Sequence, residues 1–257
     1  MVTKIICAYH EGAVKGFYDP ITQHPDIFIP VLGGSYYYRK GKDEFYDKLI
    51  RDDIGENISP LTIYINEHSP IYWAYKNYKI IGNPDMVGLC HYRRFMDVDY
   101  DNLDPTKVYA NRVRAMHAGG VRGPVYDTVR NTYGNFCSEE LVEFYVDAFR
   151  YYLPDYIQDI DVVLDDVMYY AKNMFIMNRE TFFEFMSFVV RALRILFDDV
   201  IFREATSIFY PSMHIRQMML THSRCRGFIM EMFTAVWFEH QQRIHGNVIS
   251  VPLLEFI

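Results

Sequence analysis

The chain has 257 residues, 50% hydrophobic and 17% aromatic, with a formal net charge of −7 and an isoelectric point near 5.7. That is enough apolar material to bury a core in one large domain or two small ones, and the acidic balance excludes a general nucleic-acid binder, which needs a positive field to neutralise phosphates. The opening MVTKIICAYH has too short an apolar run for a signal peptide or a spanning helix, and charge breaks the longer apolar stretches, so no transmembrane segment is expected.

KIICAY (4–9) is a short apolar run between polar residues and predicts a first buried strand. DIFIPVLGG (26–34) predicts a second strand that stops in a Gly-Gly loop, and LIRDDIGENIS (49–59) is polar and turn-rich. In PLTIYINEHSPIYWAYKNY (60–78) the apolar offsets are mixed, and Pro70 favours a break or a helix that begins near Ser69. DMVGLCHYRRF (85–95) predicts a third strand with its loop and TKVYANRV (106–113) a fourth, while the glycines of GGVRGPVYDTV (119–129) suggest a loop that moves. SEELVEFYVDAFRYYL opens with a serine N-cap and two acids in the first turn, the signature of a helix, which Pro154 ends. NMFIM is a short strand followed by a helix from near Asn178, GFIMEMFTAVWFEHQQR (227–243) is a second long helix, and NVISVPLLEF is a final extended segment. Strands early and helices late predict a mixed α/β fold, one domain over 1–257 with an α/β part (1–136) and a helix-rich part (137–257).

The four cysteines, Cys7, Cys90, Cys137 and Cys225, lie far apart with no C-x-x-C pair, and read as reduced buried thiols of a cytosolic protein. The nine histidines show no zinc-binding spacing, and no nucleophile-elbow, P-loop or dinucleotide motif is present. The 22 tyrosines suit carbohydrate stacking, although core and rim packing accounts for them more simply.

Three polar clusters follow proposed strands: Tyr9/His10, Asp52/Asp53 and the stretch from His91 to Asp99. In open α/β sheets ligands bind beyond the carboxyl ends of strands. Adjacent Arg93 and Arg94 suit a diphosphate, because guanidinium offers a planar fork of donors to phosphate oxygens. If 91–94 is extended, side chains alternate faces, so His91 and Arg93 meet the ligand and Arg94 supports them. Asp97-Val98-Asp99 spells a D-x-D that could hold a divalent cation, Mn or Mg, but with Asp101 and Asp104 nearby it reads first as a solvated acidic loop. Glu231, among apolar neighbours early in its helix, could be a general base or simply serve the helix dipole, and Asp165-Asp166 in LDDVM is similarly ambiguous.

These stretches together resemble a family of bacterial glycosyltransferases of capsular and O-antigen polysaccharide synthesis, catalogued mainly as a domain of unknown function. The matching segments, in order, are KIICAYH, RDDIGENIS, NEHSPIYWAYKN, VGLCHYRRF, KNMFIMNRETFFEF and RGFIMEMFTAVWF. The chain departs from the family pattern at His68-Ser69-Pro70, where Leu-Thr usually follows the glutamate, at Met232 in place of arginine, and in a shortened 107–135 region. The resemblance implies a GT-A-like fold, a nucleotide-binding mixed sheet flanked by helices with a helical C-terminal half. It implies transfer of a sugar, galactosyl or galactofuranosyl among the candidates, from a nucleotide-diphosphate donor such as a UDP-sugar to a polysaccharide or lipid-linked glycan acceptor. His10, Asp52, Asp53, His91, Arg93 and Arg94 would then surround the donor, Asn173 and Trp73 would lie on the acceptor side, and Glu231 would be the base. The arginines would do part or all of the work of the metal at Asp97 and Asp99. A lipid-linked acceptor would place the protein in the cytoplasm at the inner face of the membrane, with the aromatic helices 182–197 and 228–238 available for peripheral association or, more simply, packed in the core. The competing reading is a non-catalytic nucleotide- or carbohydrate-binding domain that keeps the fold.

Overall fold

The computed structural model describes residues 1–118, 124–197, 213–221 and 224–256. In chain order the elements are β1 (Thr3–Tyr9), α1 (Asp19–Gln23), β2 (Phe28–Leu32), α2 (Glu44–Asp47), β3 (Ile50–Arg51), α3 (Thr62–Ile65), α4 (His68–Lys76), β4 (Met86–His91), β5 (Arg94–Met96) and β6 (Val108–Arg114). They continue with β7 (Met116–Ala118), β8 (Pro124–Tyr126), α5 (Val129–Phe136), α6 (Glu139–Tyr152), α7 (Ile157–Asp165), β9 (Met168–Asn178), α8 (Arg179–Phe197), α9 (Met213–Thr221), α10 (Cys225–His245), β10 (Val248–Ser250) and β11 (Leu253–Glu255). The expected mixed α/β class holds. Ser138 caps α6 by accepting the Leu141 N–H, and Pro70 fits inside α4 because a first-turn residue has no intrahelical N–H bond to lose.

The main sheet runs β10-β6-β9-β4-β1-β2-β3, with β5 paired to the end of β4 and β11 to β5. Strands β4, β1, β2 and β3 are parallel, whereas β9 runs antiparallel to β4. Parallel strands are covered on both faces, which is why β1 and β4 read as nearly unbroken apolar runs. Gly88 sits where β4 and β9 come closest: a Cβ there would lie 2.8 Å from the Phe175 carbonyl oxygen.

Two compact units share the chain. The first comprises 1–111, 172–186 and 247–257, and the second 112–171 and 187–246. The core of the first unit gathers Ile5, Cys7, Tyr9, Phe28, Leu32, Cys90, Phe95 and Ile176. In the second, Val142, Tyr145, Phe149, Val163, Phe233 and Trp237 are buried. There α7 is tied to α10 by Asp159, which accepts from Arg243 Nε (2.6 Å) and pairs with His240 Nδ1 (2.7 Å). Burial would raise the Asp159 pKa, but these two partners hold it below the usual carboxylate range.

Several expectations change. Cys137 and Cys225 are disulfide-bonded, joining the end of α5 to the start of α10 within the second unit. Their separation of 88 residues left no trace in the spacing, and the argument from cysteines to a reducing compartment falls with it. Cys7 and Cys90 are buried free thiols. The aromatic helices 182–197 and 228–238, for which core packing is the simpler of the two readings, bury Phe182, Phe185, Phe188, Ile229, Phe233 and Trp237. Among the described residues no helix is long and apolar enough to cross a membrane. Part of the glycine-rich loop, 119–123, lies outside the described residues; its flanks form the β7–β8 hairpin.

Gly88→Ala should force β4 and β9 apart and destabilise the protein by about 1–3 kcal/mol. Urea denaturation should show a lower midpoint at an unchanged slope.

Candidate functional site

Because β1, β2, β3 and β4 run parallel, their carboxyl ends share one edge of the sheet. His10 follows β1, Gly33–Ser35 follows β2, Asp52 and Asp53 follow β3, and His91 closes β4. His10, Asp52, Asp53 and His91 therefore do assemble along one edge of the first unit, whereas Asp97 and Asp99 follow the antiparallel β5 back to the other end of the sheet, where Tyr100 packs on His24 and Phe28 at the start of β2.

Asp52, expected at the donor, is fully buried at 0% exposure. Its Oδ1 accepts from Ser35 N (3.0 Å), Ser35 Oγ (2.7 Å) and Ser59 Oγ (2.6 Å), and its Oδ2 from Gly34 N (3.0 Å) and Ser69 Oγ (2.5 Å). Gly34 has φ +72°, a conformation glycine adopts without strain, in which its N–H reaches this carboxylate. With its lone pairs engaged, Asp52 organises the loops instead of meeting a ligand. Asp53 is forked onto Arg51 Nε (2.9 Å) and Nη2 (2.5 Å), which lowers its pKa. Trp73, expected on the acceptor side, is also 0% exposed, and its Nε1 donates to the Ile54 carbonyl (2.9 Å). Its indole is core and is not offered to a sugar.

HYRR is a hairpin and not an extended segment. His91 pairs across the ladder with Arg94, leaving Tyr92 and Arg93 as the two turn residues. The alternation argument for 91–94 therefore fails, and Arg93 owes its position to the turn. Its guanidinium lies 5.7 Å from the Tyr92 ring centroid and has no carboxylate partner among the described residues. Tyr92 meets the His10 ring edge-on at 5.5 Å. Arg94, opposite Glu255 on β11, pairs with that carboxylate at 3.3 Å, and Lys172 Nζ reaches the same oxygen at 2.5 Å. Arg94 is thus ion-paired, while Arg93 has no carboxylate partner among the described residues.

Behind the hairpin lies a part-buried polar cluster that joins the expected His91 and Asn173 to Glu67 and Lys172, which sequence reasoning missed. His91 Nε2 lies 2.9 Å from the Lys172 carbonyl oxygen and 3.5 Å from Glu67 Oε1. Asn173 Nδ2 donates to the same Glu67 oxygen (2.8 Å), while Asn173 Oδ1 is buried without a partner. Lys172 and Asn173 have φ of +64° and +53°, two left-handed non-glycine residues in succession within β9. Such backbone costs on the order of 1–3 kcal/mol per residue and gathers at functional sites. Burial would raise the Glu67 pKa, but the charge and hydrogen bond of His91, helped by His68 and Asn173, bring it down to about 2. Burial would lower the His91 pKa, and Glu67 more than reverses that. Burial does lower the pKa of neighbouring His68. Glu67 stands in the NEHSPIYWAYKN stretch at the N-cap position of α4, where it makes no capping hydrogen bond.

Asp97 and Asp99 are exposed. Asp99 accepts from Asp101 N and Asn102 Nδ2, closing its own turn. Among the described residues no group of three or more His, Cys, Asp or Glu side chains is placed to hold a metal ion. A polar hollow of about 550 Å³ opens after β1, lined by Glu11, Gly12, Lys15, Tyr38, Lys42 and Tyr46 among others. Glu231 belongs to the second unit, where it is half-buried beside Tyr133 and Tyr169; burial first, and then its charge, raise the pKa of both phenols. Asp166 pairs with Arg112 at 2.8 Å.

A family described as a domain of unknown function, DUF4422, matches residues 4–242. No curated protein matches the chain. Among solved structures it is similar to the bifunctional glycosyltransferase WbbM in its apo form, with a TM-score of 0.70 and 17% identity over 98% of this chain and 45% of that one. The chain thus spans less than half the length of that neighbour, and the likeness establishes a glycosyltransferase-like fold.

Asp52→Asn puts an amide N–H against groups that now donate to the carboxylate. It should lower unfolding stability in urea by at least about 3 kcal/mol, since each buried donor left unmatched costs roughly 1–3 kcal/mol.

Proposed function

The chain belongs to the DUF4422 family, and from that premise we propose that it is a glycosyltransferase whose donor is a nucleotide-diphosphate sugar held at the carboxyl edge of β1–β4. The observation that carries this reading is Arg93, a guanidinium without a carboxylate partner among the described residues at the tip of a hairpin, beside an imidazole whose surroundings favour its charged form. A diphosphate supplies the charge and planar oxygen geometry such a group recognises. The neighbouring hollow after β1 is within the usual size range of small-ligand sites and would take the nucleoside.

In the transfer, the acceptor oxygen forms a bond to the anomeric carbon as the bond from that carbon to the diphosphate oxygen breaks. The acceptor proton goes to a base, and the nucleoside diphosphate leaves with the bonding pair. Negative charge grows on the departing diphosphate, where Arg93 and His91 stabilise it. A UDP-sugar, galactosyl or galactofuranosyl, and a polysaccharide or lipid-linked acceptor are the substrates to try first. Asn173 is the proposed acceptor-side residue.

Removing one preorganised donor to developing charge costs about 3–4 kcal/mol. Release of UDP from a panel of UDP-sugars should therefore persist in EDTA and fall by ~10²–10³-fold in Arg93→Ala. Strict metal dependence lost in Asp97→Ala would contradict this assignment of the charge-stabilising role. Binding without turnover across the whole panel would make the protein a nucleotide-binding domain.

A further inference from the structure

We infer that Glu67 is a positioning residue of the donor site: together with the Lys172 carbonyl it holds the inward proton on His91 Nε2, so that Nδ1 is the nitrogen offered to the diphosphate. The inference rests on the donor reading above and names the group that controls it.

The geometry fixes the tautomer. A backbone carbonyl oxygen at 2.9 Å can only accept, and the carboxylate 3.5 Å from the same nitrogen is an ion-pair contact whose negative charge favours a proton there. The proton on Nε2 therefore stays under either charge state of the ring. Among the described residues Nδ1 has no hydrogen bond. Nδ1 donates to a phosphate oxygen when the ring is an imidazolium, and turns a lone pair toward it when the ring is neutral. Asn173, donating to Glu67, anchors the carboxylate from β9.

The groups around His91 are few. Glu67 and His68 approach from the start of α4, Lys172 and Asn173 from β9, and Arg94 from β5, with Arg93 and Tyr92 in the hairpin. Lys172 and Arg94 are both paired with Glu255. His68, buried with its Nδ1 at the Ile65 carbonyl, has its pKa lowered. Glu67 is the one carboxylate that pairs with His91 among the described residues. A carboxylate held at about pKa 2 is a poor proton acceptor near neutrality, which argues for orientation and charge and against a role as general base.

The sign follows directly. The Nδ1 donor is present below the pKa of His91 and lost as pH rises through it, and that pKa lies above the ordinary 6.5. Donor affinity should fall across the same interval. The probe is UDP-galactose, whose diphosphate is a diester and does not titrate there. Calorimetry from about pH 5.5 to 9, beside NMR titration of the His91 ring, reads both properties. Glu67→Gln should move both midpoints down by about one unit or more, leave affinity near pH 5.5 close to wild type, and weaken binding about tenfold near pH 7.5. Glu67→Asp, which keeps the charge on a shorter arm, should lie between, and serves if the glutamine variant does not fold. Midpoints that coincide in wild type and variant overturn the inference, as does a wild-type ring midpoint at or below the ordinary value. If UDP-galactose and other UDP-sugars bind at no pH, the donor reading fails, while the ring titration still decides whether Glu67 sets the state of His91.

Discussion

One buried carboxylate organises the edge of the sheet on which everything else depends. Asp52 gathers the loop after β2 through Gly34 and Ser35, the turn before α3 through Ser59, and the start of α4 through Ser69. Three separate stretches of chain are thereby held at one point that water does not reach. Ser69 is two residues from Glu67, so the hydrogen bond that ties α4 to Asp52 also sets where Glu67 stands relative to His91.

The electrostatic arrangement has two layers. Paired charges form the inner one: Glu67 with His91, and Glu255 with Arg94 and Lys172. Pairs of this sort give little net stability, because water screens the exposed ones and the desolvation of Glu67 and His91 offsets much of their attraction. What they provide is order, since each leaves its partners one way to point. Arg93 forms the outer layer, on a two-residue turn with an aromatic ring for support. The inner pairs set the hairpin, and the hairpin presents the cation. The same logic accounts for tolerating two left-handed residues at Lys172 and Asn173: that backbone brings a carbonyl and an amide to the His91–Glu67 pair.

The main elements were legible because their patterns are local. KIICAY and MVGLC are apolar runs of strand length, and Ser138 followed by two glutamates marks a helix start. What escaped depends on distant partners. The hairpin at 91–94 forms because β5 finds β11, more than 150 residues on. The disulfide joins helices 88 residues apart. Asp52 and Asp53 looked alike in RDDIGENIS, yet one is sealed by hydroxyls and backbone N–H groups and the other paired with Arg51, a difference no local pattern encodes. Trp73, put on the acceptor side by the resemblance, is core. Glu67 was in plain view, but its significance lies in β4 and β9.

The claim at the centre of this account is that the HYRR hairpin grips a diphosphate. A structure determined with bound UDP-galactose tests it most directly. The account predicts diphosphate oxygens within hydrogen-bonding distance of the Arg93 guanidinium and of His91 Nδ1, at the carboxyl edge of β1 and β4. A donor bound with its diphosphate away from both side chains would contradict it.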